Sequence, residues 1–248
     1  MLDLWLYVLI SISIVSLISL IGIFTLSIKT EKLKKILIYL VSFSAGALFG
    51  DVFIHLFPEI VKNYGFNLNI SIYVLVGILF FFIIEKFVHW QHCHMPITKE
   101  HKHPFAIMNL VGDSVHNFID GLIIGASYLF SIPLGIATTI AVVLHEIPQE
   151  IGDFGVLIHG GFTKKRALLV NFLTALTAIL GGIFALLLKN VSAISAFLLP
   201  FAAGTFLYIA GSDLIPELHK ETDVRKSLIQ LLAFILGIAI MFLLLLLG

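Results

Sequence analysis

Long continuous apolar runs, separated by short charged stretches, are the dominant pattern of this chain. A helix that crosses a bilayer needs about 20 predominantly apolar residues. Eight segments meet that length: residues 4–28, 36–57, 70–88, 105–129, 133–159, 167–188, 192–214 and 228–247. Apolar residues in them are contiguous and do not alternate with polar ones, which excludes the strands of a membrane β-barrel. The pattern predicts an all-α integral membrane protein, a single polytopic domain over residues 1–248 with eight transmembrane helices. The first run opens M-L-D-L-W without a basic residue, so it reads as a retained helix and not as a cleaved signal peptide.

Composition narrows the class further. Hydrophobic residues make up 59% of the 248 positions and charged residues 12%, too apolar a mixture for a soluble fold of this size to hide. Fifteen basic residues balance fifteen acidic ones and no basic block dominates, which argues against a nucleic-acid partner. The single cysteine, Cys93, rules out a disulfide framework and any multi-cysteine zinc site.

The basic residues predict the orientation. Lys29, Lys32, Lys34, Lys35, Lys86, Lys99, Lys102, Lys164, Lys165, Arg166, Lys220, Arg225 and Lys226 fall at one set of span ends, while only Lys62 and Lys189 fall at the other. The loops are short, so the richer side is expected in the cytoplasm and both termini outside it.

The second and seventh spans resemble each other. Ser42–Glu59 reads S-F-S-A-G-A-L-F-G-D-V-F-I-H-L-F-P-E, and Pro200–Glu217 reads P-F-A-A-G-T-F-L-Y-I-A-G-S-D-L-I-P-E. Without gaps they match at Phe43/Phe201, Ala45/Ala203, Gly46/Gly204, Leu56/Leu214, Pro58/Pro216 and Glu59/Glu217. The orientation makes the two run in opposite directions. An inverted repeat of spans 1–3 and 6–8 around central spans 4 and 5 is expected, as in transporters with a substrate site near the midplane. His55 and Glu59 would then stand at the outer mouth, and Asp213 and Glu217 at the inner one; interfacial side chains reaching water are the plain alternative.

Ionisable residues inside a span are costly and therefore candidates for function. Span four carries Asp113, His116, Asn117 and Asp120, whose i, i+3, i+4, i+7 spacing puts them on one helical face. Span five carries His145, Glu146, Gln149, Glu150 and Asp153 on a broad polar arc. Both clusters lie about 15–20 Å into the bilayer by helical rise. Imidazole, carboxylate and carboxamide donors without sulfur suit Zn²⁺, Fe²⁺, Mn²⁺ or Cd²⁺. A proton relay is the alternative, although it has no need of Asn117 and Gln149. Pro148 cannot donate to the carbonyl of Leu144, so a bend and a freed acceptor are expected there.

The stretches H-N-F-I-D-G (His116–Gly121) and H-E-I-P-Q-E-I-G-D-F (His145–Phe154) resemble the paired signatures of the ZIP family of divalent-metal transporters, closest to its branch with H-E-x-P-H-E-x-G-D-F. The resemblance covers essentially the whole chain. It implies metal uptake toward the cytoplasm through a binuclear site, with zinc or another divalent metal as substrate and no resident cofactor. It assigns His116, Asp120, His145 and Gln149 to one subsite and Asn117, Glu146 and Gln149 to the adjoining one. It also implies a homodimer, an elevator-like sliding of a transport unit, and residence in the plasma membrane. Gln149 departs from the family's second histidine, which puts the metal preference in question. Span six offers Asn171, Thr174 and Thr177 where some members have a carboxylate.

Half of the ten histidines crowd into a loop expected on the cytoplasmic side, residues 89–104: His89, His92, His94, His101 and His103. Such a tract can bind metal. Two other readings use the same residues. An intramembrane metalloprotease would want H-E-x-x-H, but Gln149 stands where the second histidine should be. An efflux carrier or a channel would draw on the same ligands.

Overall fold

The computed structural model describes residues 2–25, 30–90, 104–159, 161–188 and 192–247. Among these residues there is helix and turn and no strand. Helix α1 is Leu2–Ile18, α2 Thr30–Gly50, α3 Leu68–Trp90, α4 Pro104–Phe130 and α5 Ile132–His159. They are followed by α6 Lys164–Ala175, α7 Thr177–Leu187, α8 Ser192–Tyr208 and α9 Val224–Leu244. Side-chain caps start two of them. Thr163 accepts from the Arg166 N–H ahead of α6, and Asp223 from the Lys226 N–H ahead of α9. Only Ser131 separates α4 from α5, and its hydroxyl accepts from the Leu134 N–H. So short a link forces the two helices to lie antiparallel and adjacent.

Seven helical stretches among the described residues are long and apolar enough to cross a membrane. Helix α4 is not one of them, although it has 27 residues. Asp113, His116, Asn117 and Asp120 lower its hydropathy. The α3 and α9 spans are only 17% buried, against 61% for the span containing α8, so their apolar surfaces are the ones turned outward.

Two groups of helices emerge from the packing. Helix α4 lies against α7, α5 and α6, with α1 closing on α5 and α7. Separately, α2 lies along α9 and α3 along α8. Contacts of α2 with α5, and lesser ones of α8 with α4, join the groups.

Close crossings depend on glycine. A Cβ on Gly46 of α2 would sit 2.0 Å from the Phe234 carbonyl oxygen of α9, and one on Gly237 would sit 2.2 Å from that of Phe43. The α3–α8 crossing has the same construction: a Cβ on Gly204 would sit 2.1 Å from the Val74 carbonyl oxygen, and one on Gly77 2.2 Å from that of Phe201. A Cβ on Gly121 of α4 would sit 1.8 Å from the Ala178 carbonyl oxygen of α7. By contrast, Gly152 and Gly155 have nothing within 4 Å and mark no crossing.

The helices that begin with α2 and α8 each widen into a π-helical segment, Asp51–Leu56 and Ile209–Leu214. The Phe57 N–H bonds to the Val52 carbonyl, and the Ile215 N–H to that of Ala210. Pro58 and Pro216 follow immediately. Proline lacks a donor and its ring crowds the carbonyl four residues back; widening the preceding turn relieves that clash. The sequence predicts a helix end at residue 57, but the helix continues as Phe57–Tyr64, with proline in the tolerated first turn.

Gly121→Val should push α4 off α7 and abolish folded protein. Gly152→Ala, with open space around it, should leave the yield within about twofold of wild type, since no overpacking arises. Size-exclusion profiles of fluorescently tagged protein from membranes check both.

Candidate metal centre

The Ser131 turn brings the middles of α4 and α5 together. His116 is the thirteenth of 27 residues in α4, and His145 the fourteenth of 28 in α5. Helical spacing stacks Asp120 one turn beyond His116, and Glu146 follows His145. Ligating atoms of His116, Asp120, His145 and Glu146 all lie within 4.8 Å of one another, and all four residues are buried.

The separations are informative. The two Nε2 atoms are 3.3 Å apart. From His116 Nε2 to Asp120 Oδ2 is 3.5 Å, and to Glu146 Oε1 3.1 Å. From His145 Nε2 the corresponding distances are 3.1 and 3.6 Å. Donors about 2.05 Å from a tetrahedral zinc ion stand about 3.3 Å from each other. The five measured edges scatter around that value. The His145 Nδ1 lies 3.2 Å from the Ala141 carbonyl oxygen. A carbonyl only accepts, so that bond puts the ring proton on Nδ1 and leaves the Nε2 lone pair facing the cluster. Phe81 and Phe206 wall the two imidazoles edge-on, with ring centroids at 5.5 and 5.8 Å.

No well-formed hydrogen bond reaches either oxygen of Asp120 or Glu146 from the described residues. Buried carboxylates left in that state are expensive. A doubly charged cation, if held there, would balance them.

The other candidate residues take varied places. Asn117 donates to Asp113 Oδ1 at 2.8 Å, and its own Oδ1 has no partner among the described residues. Asn109 donates to Asp153 at 2.9 Å, and Asn171 donates to Glu150. A cavity of about 230 Å³ reaches His116 from the end of the bundle where α4 begins, lined by Gln149, Asp113, Asn109, Asp153 and Asp213. A second cavity of about 320 Å³, at the opposite end, is lined by His55, Glu59, Lys62, Ser131 and Pro133 and touches none of the four clustered residues. There His55 Nε2 contacts the Met241 carbonyl oxygen at 2.8 Å, and Glu59 pairs with Lys62 and accepts from Asn63. Glu217 is turned to solvent and pairs with Lys220. His89 stands in the last turn of α3, but its side chain, like all of His92, His94, His101 and His103, lies outside the described residues.

By sequence the chain matches a known family. The sequence profile described as ZIP Zinc transporter matches residues 2–106 and 99–245. The chain belongs to the ZIP zinc transporter family. The protein is 32% identical over 272 residues to the zinc transporter zipt-7.1 of Caenorhabditis briggsae, covering 82% of this chain and 69% of that relative. It is 36% identical over 220 residues to the zinc transporter ZIP13 of Pongo abelii, covering 82% and 65%. Against the zinc transporter SLC39A7 of Mus musculus it is 29% identical over 296 residues, covering 84% and 62%. ZIP proteins are transporters and not enzymes, which removes the metalloprotease reading. Glu146 agrees with that outcome: it contacts both histidines instead of standing aside as a water-activating base.

The structure adds two features to the sequence reading of this ZIP chain. Glu146, assigned by resemblance to an adjoining subsite, lies in the same cluster as the histidines. Asp51, fully buried in the first π segment beside the Thr138 hydroxyl, was not singled out. It precedes His55 by four residues, and the rule that flags an ionisable residue inside a span finds it equally.

His145→Ala and Asp120→Ala should each weaken zinc binding to the purified protein by about 100-fold or more, since each removes a ligand outright. Lys62→Ala, at the far cavity, should change it less than about twofold. Equilibrium dialysis in detergent measures all three.

Proposed function

We propose that the chain carries a divalent metal ion, zinc foremost, across the membrane into the cytoplasm by alternating access. The observation that carries this reading is the set of five ligand-to-ligand distances that fit one tetrahedral ion, midway along two central helices. In this reading α4 is the eighth span, its polar face sheltered by α5 and α7. The positive-inside rule puts the His116 cavity on the cytoplasmic side, and the state described is inward-open. Metal arrives past Glu59 and His55, loses water to the four central ligands, and leaves by way of Gln149, Asp113, Asp153 and Asp213.

The inverted repeat has support from packing. The π segments differ in number by 158, as do the glycines Gly46 and Gly204 and the facing carbonyls of Phe43 and Phe201. Their partners on α9 and α3, Gly237 with Gly77 and Phe234 with Val74, differ by 160 in both cases. A second, weaker subsite would use Asn117 with Gln149, and Glu150 with Asn171 lies behind it. The family resemblance further suggests a homodimer in the plasma membrane, with termini outside and the histidine-rich loop taking up released metal in the cytoplasm.

Proteoliposomes loaded with a zinc-sensitive dye test this. Wild type should accumulate zinc, and His116→Ala should reduce the rate at least about tenfold, since a first ligand to the ion is gone. Gln149→His should shift preference among zinc, iron, manganese and cadmium by adding a nitrogen donor. In a Cys93→Ser background, Asn109→Cys should react with an impermeant thiol reagent from the cytoplasmic face only. Labelling from the outer face alone would reverse the assigned orientation.

A further inference from the structure

Pro148 deprives the Leu144 carbonyl of its helical partner, because the donor four residues on is missing. The acceptor is not left empty. Ser44 of α2 places its hydroxyl oxygen 2.5 Å from Leu144 O, across the boundary between the two helix groups. The same hydroxyl is 2.8 Å from Leu40 O. It has one proton to give. Leu40 O already receives the Ser44 backbone N–H within α2, so the shorter contact, to the carbonyl that proline has freed, is where the proton is needed.

That carbonyl matters to the site. Leu144 C=O and His145 N belong to one planar peptide unit, which also fixes the His145 Cα. Whatever grips the Leu144 oxygen therefore fixes the point from which the His145 imidazole projects. The ring has one further restraint, the Nδ1 contact with the Ala141 carbonyl in the preceding turn. The Nε2 is thereby aimed at 3.1 Å from Asp120 and 3.3 Å from His116. Ser44 itself is 1% exposed and touches none of the four ligands by hydrogen bond.

We propose that Ser44 is a positioning residue for the metal centre: its hydroxyl replaces the donor lost at Pro148, holds the Leu144–His145 peptide, and so sets the reach of His145 into the cage from the opposing group of helices. The proposal rests on the four-ligand cluster being the metal site.

A double-mutant cycle tests it with zinc as the probe. Wild type, Ser44→Ala, Pro148→Ala and the double variant are purified in detergent. Zinc dissociation constants are measured on each, and melting temperatures are taken in chelator to show that each is folded. Ser44→Ala should weaken zinc binding about fivefold, the order of one hydrogen bond's net worth. In the Pro148→Ala background α5 regains its own N–H donor to Leu144, so removing the Ser44 hydroxyl should then change zinc affinity less than about twofold. Equal losses in both backgrounds would reduce Ser44 to a packing residue and overturn the proposal, as would no loss in either. Failure of wild type to bind zinc at all would strike the metal-site reading, which is a different result from binding that is intact and indifferent to Ser44.

Discussion

Two carboxylates and two imidazoles packed within 4.8 Å of one another, away from water, form the constraint on which the rest of the structure depends. Asp120 and Glu146 have no well-formed hydrogen bond among the described residues, and a cation held between them would offset the cost of burying both. That requirement sets the order of the helices. The helix that carries His116 and Asp120 has lost the apolarity to face lipid, and α5, α6 and α7 cover it. The helices that pay no such cost in polarity, α3 and α9, present their leucines, isoleucines and phenylalanines outward. Gly121 matters for the same reason, because backbone contact with α7 seals the back of α4 without side chains that would push it away.

Much of the fold was legible because lipid punishes polar residues, so the exceptions stand out against apolar runs. His116 and His145 were found that way, and their nearness follows from a link of one residue, Ser131. The place of Glu146 was harder to read. Spacing put Glu146 on the same broad polar arc as His145, while the family resemblance assigned it to the adjoining subsite with Asn117 and Gln149. Close packing of α4 on α5 lets both reach the same point from a shared face. Asp51 escaped because its neighbours have the look of an ordinary span, and because its setting is a π segment that periodicity of 3.6 does not describe.

Of the prolines inside or beside these helices, Pro200 leaves α8 α-helical, while Pro58, Pro216 and Pro148 raise the same problem and receive two solutions. Pro58 and Pro216 are accommodated locally, by one wide turn on the N-terminal side of each. Pro148 has no such turn, and α5 remains α-helical through it. Its freed carbonyl is instead taken by a hydroxyl from another helix. The difference has a structural consequence. A π turn leaves a helix independent of its neighbours, whereas a borrowed donor ties α5 to α2.

The two π segments also bear on how a path through the bundle is lined. Asp51 and His55, four residues apart in the first segment, are both buried on the side that meets α5 and α9. The second segment holds Asp213 in its corresponding half, where it lines the cavity leading to His116. One deformation, found in each case just ahead of a proline, thus sits where an imidazole or a carboxylate of an otherwise apolar helix lines a cavity. Substituting either proline would be expected to narrow the wide turn ahead of it and to rotate those side chains by part of a turn, without altering any of the four clustered residues.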